Sequence, residues 1–91
     1  MYKYESLTIE EFNSRYFNKI LEITFYDNMA DLTTKKIICR VEKVGMLPSK
    51  IYNGNIMLQE PKVLSITIIE EITFNTISIN IRQVKNISII K

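Results

Sequence analysis

Between Ile20 and Leu21 the hydrophobic period of this chain changes from that of a helix to that of a strand, and it does not change back. Before that point Ile9, Phe12, Tyr16 and Ile20 recur at spacings of three and four, which puts them on one stripe of a helix. Thr8 is placed to cap that helix, and Glu11, three positions on, to complete a capping box by reaching back to the Thr8 amide. Glu10 and Glu11 fall in the first turn and Arg15 and Lys19 later, as the helix dipole favours, and Glu11 and Arg15 form an i,i+4 pair. The pattern predicts helix from about Ile9 to Phe17, with Asn18 as its stop, so that the helical segment occupies about 8–18 and sheet the remainder, about 19–91.

After Ile20 the alternation is two-fold. Leu21, Ile23 and Phe25 alternate with Glu22, Thr24 and Tyr26, the pattern of a half-buried strand. A turn is expected from Asp27-Asn28 to about Asp31, then a strand with Ile37, Cys39 and Val41 inward, ended by Gly45 and Pro48. Asn53-Gly54 supplies the two positive φ angles of a type I′ turn and pairs Lys50–Tyr52 with Asn55–Gln59 as a hairpin, with Pro61 as the next break. Leu64, Ile66 and Ile68 are expected inward. The pattern slips at Ile69-Glu70-Glu71-Ile72, which marks a bend, bulge or tight turn. Ile77, Ile79 and Ile81 resume it, one turn spans Arg82 to Asn86, and Ile87 to Ile90 close the chain.

Ninety-one residues form one domain, 1–91, with one core. The expected fold is α+β and β-rich. A short N-terminal helix precedes five or six mainly antiparallel strands, arranged as a small SH3-like or Sm-like barrel or as a curved open sheet. Residues Ile23 to Ile90 resemble the YolD-like proteins of low-GC Gram-positive bacteria. The resemblance is carried by Arg40-Val41-Glu42-Lys43-Val44, by Ile56-Met57-Leu58 and by the stretch from Ile79 to Ile87 that includes Asn80-Ile81-Arg82-Gln83. It implies a small Sm-like barrel after a helical lead, and no catalytic or binding residue is carried over from it. Arg82 and Gln83 stand where that family commonly carries acidic residues.

The inventory of reactive side chains narrows the chemistry. There is no histidine, which removes Ser-His and Cys-His nucleophilic pairs and the commonest base near neutral pH. One cysteine, Cys39, allows no internal disulfide and makes a zinc site unexpected; its place on an apolar alternation fits a buried thiol rather than a reactive one. Gly45 and Gly54 stand alone, so no phosphate-cradling loop exists. No cofactor and no metal are expected, and the chain is expected not to be an enzyme. Glu70-Glu71 and the Asp27/Asp31 pair are the remaining catalytic candidates; solvated turn residues are the plainer reading of both. No export signal or membrane-length apolar run is visible, which makes a cytoplasmic setting the expectation. Heavy use of isoleucine, lysine and asparagine resembles the products of AT-rich genomes, low-GC bacteria and their phages included.

Charge is divided along the chain. Residues 1–31 carry three basic against six acidic side chains, and residues 32–91 nine against four, within an overall net charge of +2. Lys35, Lys36, Arg40 and Lys43 form a candidate nucleic-acid patch, with an aromatic such as Tyr26 or Tyr52 to stack on bases. A pI near 8.7 is below the usual range of nucleic-acid-binding domains. The apolar residues Tyr2, Tyr4, Tyr26, Tyr52, Ile38, Met46, Met57 and Ile69 exceed what one small core holds, and Tyr26, Tyr52 and Met57 are the candidate protein interface. The leading expectation is a non-catalytic protein that works by protein–protein contact, as a homo-oligomer or on a larger host or phage protein, in the manner of a mobile-element accessory factor or inhibitor. A nucleic-acid-binding barrel is the second, and a carboxylate enzyme at Glu70 and Glu71 the third.

Overall fold

The computed structural model describes residues 4, 6–46, 51, 52, 55, 56 and 62–91. A helix, α1 (Ile9–Tyr16), opens the fold. Its capping box forms: the Thr8 hydroxyl accepts the Glu11 amide at 3.1 Å, and a Glu11 carboxylate oxygen accepts the Thr8 amide at 3.3 Å. Asn18 leaves the helix with φ 61°, a left-handed conformation that asparagine tolerates. Phe12 and Tyr16 are the buried stripe, their rings 5.0 Å apart, and the ring of Tyr4 meets Tyr16 edge-on at 6.5 Å. Ile9 packs at the margin of the core.

Among the described residues seven strands follow: β1 (Leu21–Asn28), β2 (Thr33–Met46), β3 (Ile51–Tyr52), β4 (Asn55–Ile56), β5 (Val63–Glu70), β6 (Thr76–Asn80) and β7 (Val84–Ile89). Five make one antiparallel sheet in the order β6-β5-β2-β1-β7, and β3 and β4 pair separately. The Asn53-Gly54 turn between them lies outside the described residues, as do Pro48, Lys50 and Pro61. A 3-10 turn (Ile81–Gln83) joins β6 to β7 and carries a second capping box, with the Asn80 side chain accepting the Arg82 amide and Gln83 accepting the Asn80 amide.

Of the two expected architectures, the curved open sheet is the one formed. Its curvature follows from the connection. In a flat sheet the outer strands of five lie roughly 19 Å apart, at about 4.8 Å per spacing. The three-residue 3-10 turn advances only about 2 Å per residue. It joins the two outer strands, so the sheet curls until its edges approach. Register shifts in β1 against β7 between Thr24 and Phe25, and in β2 against β5 between Val41 and Lys43 and between Gly45 and Met46, supply the bends.

The concave face holds the core: Leu21, Ile23, Phe25, Cys39, Val41, Ile66, Ile68, Ile79, Val84 and Ile87, closed by Phe12 and Tyr16 of α1 and by Ile81. Full burial of each large aliphatic or aromatic side chain contributes about 1.5–3 kcal/mol. β2 ends at Met46, one residue past Gly45, and the Ser65 hydroxyl sits where a Cβ on Gly45 would be, which a larger residue would displace. One expected orientation is corrected here. Leu64 does not point inward. Gly45 pairs with Ser65 and Met46 with Val63, so Leu64 is the extra residue of a bulge, turned to solvent while Val63 takes the buried place. The closing strand also starts earlier than expected, at Val84.

Candidate functional site

The expected basic patch does not assemble. Residues directly opposite in neighbouring strands share a face. Lys35 pairs with the buried Phe25, which puts it on the concave side beyond the rim, whereas Lys36 pairs with Thr24 on the convex side. Arg40 and Lys43, opposite Ile69 and Thr67, are also convex, and Lys36 and Lys43 lie roughly 20 Å apart along the strand at about 3.3 Å per residue. Two of the four are paired. The Arg40 Nε donates to Glu71 Oε1 at 2.6 Å, and Lys36 Nζ stands 3.7 Å from Glu22 Oε1. Consecutive placement in the sequence therefore became separation in space.

Three of the carboxylate candidates, Glu70, Glu71 and Asp31, are each taken up by a different partner. Glu71 is held by Arg40, and the Glu70 carboxylate accepts the Thr73 hydroxyl at 2.8 Å. Asp31 accepts the Asn28 side-chain amide at 3.1 Å in the exposed β1–β2 turn, where Asp27 is also exposed. Among the described residues no cluster of three or more histidine, cysteine, aspartate or glutamate side chains could hold a metal ion. Cys39 is buried, and burial, then the nearby Glu71 and Glu70 carboxylates, push its thiol up to about 12, so it carries no thiolate at neutral pH. No helix among the described residues is long and apolar enough to cross a membrane.

Of the candidate interface residues, Tyr26 is half-buried on the convex face opposite Thr34, and its carbonyl accepts the Gln83 side-chain amide at 3.2 Å. Tyr52 contributes its backbone to β3, and Met57 and Tyr2 lie outside the described residues. Tyr4 is not surface at all. It is buried, and its hydroxyl accepts the Ile87 amide at 2.9 Å on the outer edge of β7.

The slip expected at residues 69–72 is the turn between β5 and β6, but sequence reasoning missed the apolar side chains it displays. There Ile72 is 82% exposed and Phe74 76% exposed, with Phe74 at φ 59°. The turn is not slack. The Phe74 amide donates to the Glu70 carbonyl at 2.9 Å, the Glu70 amide to the Asn75 carbonyl at 2.9 Å, and the Glu71 amide to the Ile38 carbonyl at 2.9 Å. The Thr73 hydroxyl adds a bond from the Asn75 amide at 3.3 Å. Left-handed backbone is rare for a bulky residue, and such strain concentrates at functional positions. Leu32, in the β1–β2 turn, repeats the combination: φ 55° and 64% exposed. The signal for both was present, since each is an apolar residue inside a stretch that otherwise reads as a turn.

These two turns bracket one stretch of β2. β1 pairs with β2 from Thr33 to Cys39, but β5 pairs with it only from Cys39 to Met46. The last bond on the β5 side is that from the Glu71 amide to Ile38, so Thr33 to Ile37 have a neighbour on one side only, among the described residues. Comparison with protein-family models, with curated proteins and with solved structures found no match to this chain.

Proposed function

We propose that this protein is a non-catalytic binding module that works through protein–protein contact, with the β5–β6 turn at the centre of its contact surface. The observation that carries this reading is the display of Ile72 and Phe74. Two large apolar side chains stand almost fully in solvent on a turn fixed by backbone hydrogen bonds, one of them in a conformation that glycine or asparagine would adopt more readily. A turn selected for stability alone has no use for either choice. Aromatic residues presented on rigid supports are the usual anchors of protein interfaces.

A nucleic-acid interface has less support. Lys36 and Arg40 are engaged by carboxylates, and Lys35 and Lys43 fall on opposite faces. A carboxylate reaction centre has less still, because Glu70 and Glu71 serve different partners.

Site-specific photocrosslinking tests the proposal. A photoreactive phenylalanine analogue at position 74 is expected to give a discrete protein adduct in cells, lost on Ile72→Ser, whereas the same group at the exposed helical position Ser14 gives none. Equal labelling from both positions would show that the turn is ordinary surface.

A further inference from the structure

We infer that β2 accepts an extended acidic segment of a partner protein as an added strand along Thr33–Ile37, antiparallel to β2 and in line with β5; this rests on the protein-contact reading above and specifies the chemistry of the partner. The observation behind it is the unequal pairing of the two halves of β2. Its C-terminal half is flanked by β5, and its N-terminal half is flanked by β1 alone, among the described residues. From Ile38 to Thr33 the open length is about 17 Å at 3.4 Å per residue, room for a strand of about five residues.

The edge of β7 differs. There the Tyr4 hydroxyl occupies the outward amide of Ile87, while the bonds between Ile20, Ile90 and Lys91 only prolong the inner pairing with β1. The N-terminal half of β2 has no such cover among the described residues.

Charge selects the occupant. Lys35 and Lys36 are both exposed and face opposite sides of the strand, and Lys35 has no carboxylate within 4.0 Å among the described residues. A second copy of this chain, pairing antiparallel about the centre of Thr33–Ile37, sets Lys35 against Lys35, and like charges directly opposite destabilise a pair. A strand with two consecutive carboxylates meets Lys35 on one face and, on the other, Lys36, whose ammonium it would share with Glu22 at 3.7 Å. Its ends then reach Leu32 on one side and Ile72 and Phe74 on the other, so the complementary segment is acidic in the middle and apolar at the flanks.

The test is fluorescence anisotropy of the purified full chain against a labelled seven-residue peptide with apolar ends and two central glutamates, at about 50 and 200 mM salt. Saturable binding that weakens with salt is expected. Lys35→Glu, which leaves the Lys36–Glu22 pair intact, is expected to lower affinity about tenfold, near 1.4 kcal/mol, and to bind better to the peptide with lysines in place of glutamates. The same peptide N-methylated at alternate residues, so that it cannot pair along one edge, is expected not to bind. Equal binding of the methylated peptide would overturn strand addition, and equal binding by Lys35→Glu would overturn charge selection. Tighter binding of random single-stranded DNA than of the peptide, lost in the same variant, would reassign the lysines to phosphate. Absence of peptide binding alongside a persistent adduct at position 74 would sink this inference and leave the protein-contact reading standing.

Discussion

The hydroxyl of Tyr4 accepts the backbone amide of Ile87 at 2.9 Å, a buried bond between the two ends of the chain. It closes the outer edge of the last strand with a side chain that belongs to no strand. Its ring also lies against Tyr16, so one residue ties α1 to β7.

Tyr4→Phe therefore keeps the ring contact and removes the acceptor. A buried amide left without a partner costs about 1–3 kcal/mol. In a domain of this size each kcal/mol shifts Tm by roughly 4–8 °C. Thermal unfolding followed by circular dichroism is expected to show that loss, and hydrogen exchange to show faster exchange at Ile87 before any other amide of β7.

Phe74 gives the opposite expectation. A left-handed conformation costs a residue with a side chain about 1–2 kcal/mol. Phe74→Gly removes that strain and is expected to leave stability unchanged or up to about 1 kcal/mol higher by urea denaturation, the flexibility of glycine in the unfolded chain offsetting part of the gain. The same variant is expected to lose partner contact. A large fall in stability would mean that the exposed ring packs on something that stabilises the fold.

Cys39 makes stability pH-dependent in the alkaline range. Its thiol ionises near 9 when the chain is unfolded and at about 12 when folded. Below pH 9 both states hold the proton and the group contributes no slope. Between about 9 and 12 the unfolded state loses its proton first, so stability falls with rising pH, by up to about 1.4 kcal/mol per unit. Tyr16, also raised by burial and by Tyr4, adds to the fall chiefly above 10. The cysteine therefore dominates the interval from 9 to 10, and Cys39→Ala is expected to remove most of that slope. In native protein at pH 8 the thiol is expected to react with a disulfide reagent only as fast as the chain opens.

Gly45 and Ser65 form a coupled pair. Gly45→Ala forces the Ser65 hydroxyl into another rotamer, at about 1 kcal/mol. In a Ser65→Ala background the new methyl meets the Ser65 Cβ at 3.7 Å, ordinary contact, so the substitution is expected to be nearly neutral there. A double-mutant cycle by urea denaturation measures the difference.

What could be read from the sequence was what neighbours along the chain decide. Thr8 and Glu11 specify their cap within four residues, and Leu21, Ile23 and Phe25 specify their face by alternation. The second capping box, Asn80 with Gln83, obeys the same short-range rule and was readable. What escaped was decided across strands. Leu64 looks as inward as Ile66 until pairing with β2 makes it a bulge. Lys35 and Lys36 look like one patch until the pleat sends them to opposite faces, and Arg40 looks free until the β5–β6 turn delivers Glu71 to it. Ile72 and Phe74 were passed over differently: the slip at residues 69–72 marks the turn and apolar residues inside it are the signal, but their exposure is fixed only by how the turn's hydrogen bonds hold it.

The position of β1 between β2 and β7 sets an order of events at the ribosome. β1 can pair with β2 once Cys39 is made, but its other neighbour, β7, is completed only about fifty residues later. At about 5–20 residues per second that is a wait of roughly 2–10 s. During it Leu21, Ile23 and Phe25 have their strand partner on one side and none on the other. The hairpin of β1 and β2 is thus the first part of the five-stranded sheet available and the last to be completed, and the interval before β7 is made is when β1 is most open to pairing with a neighbour of the wrong kind.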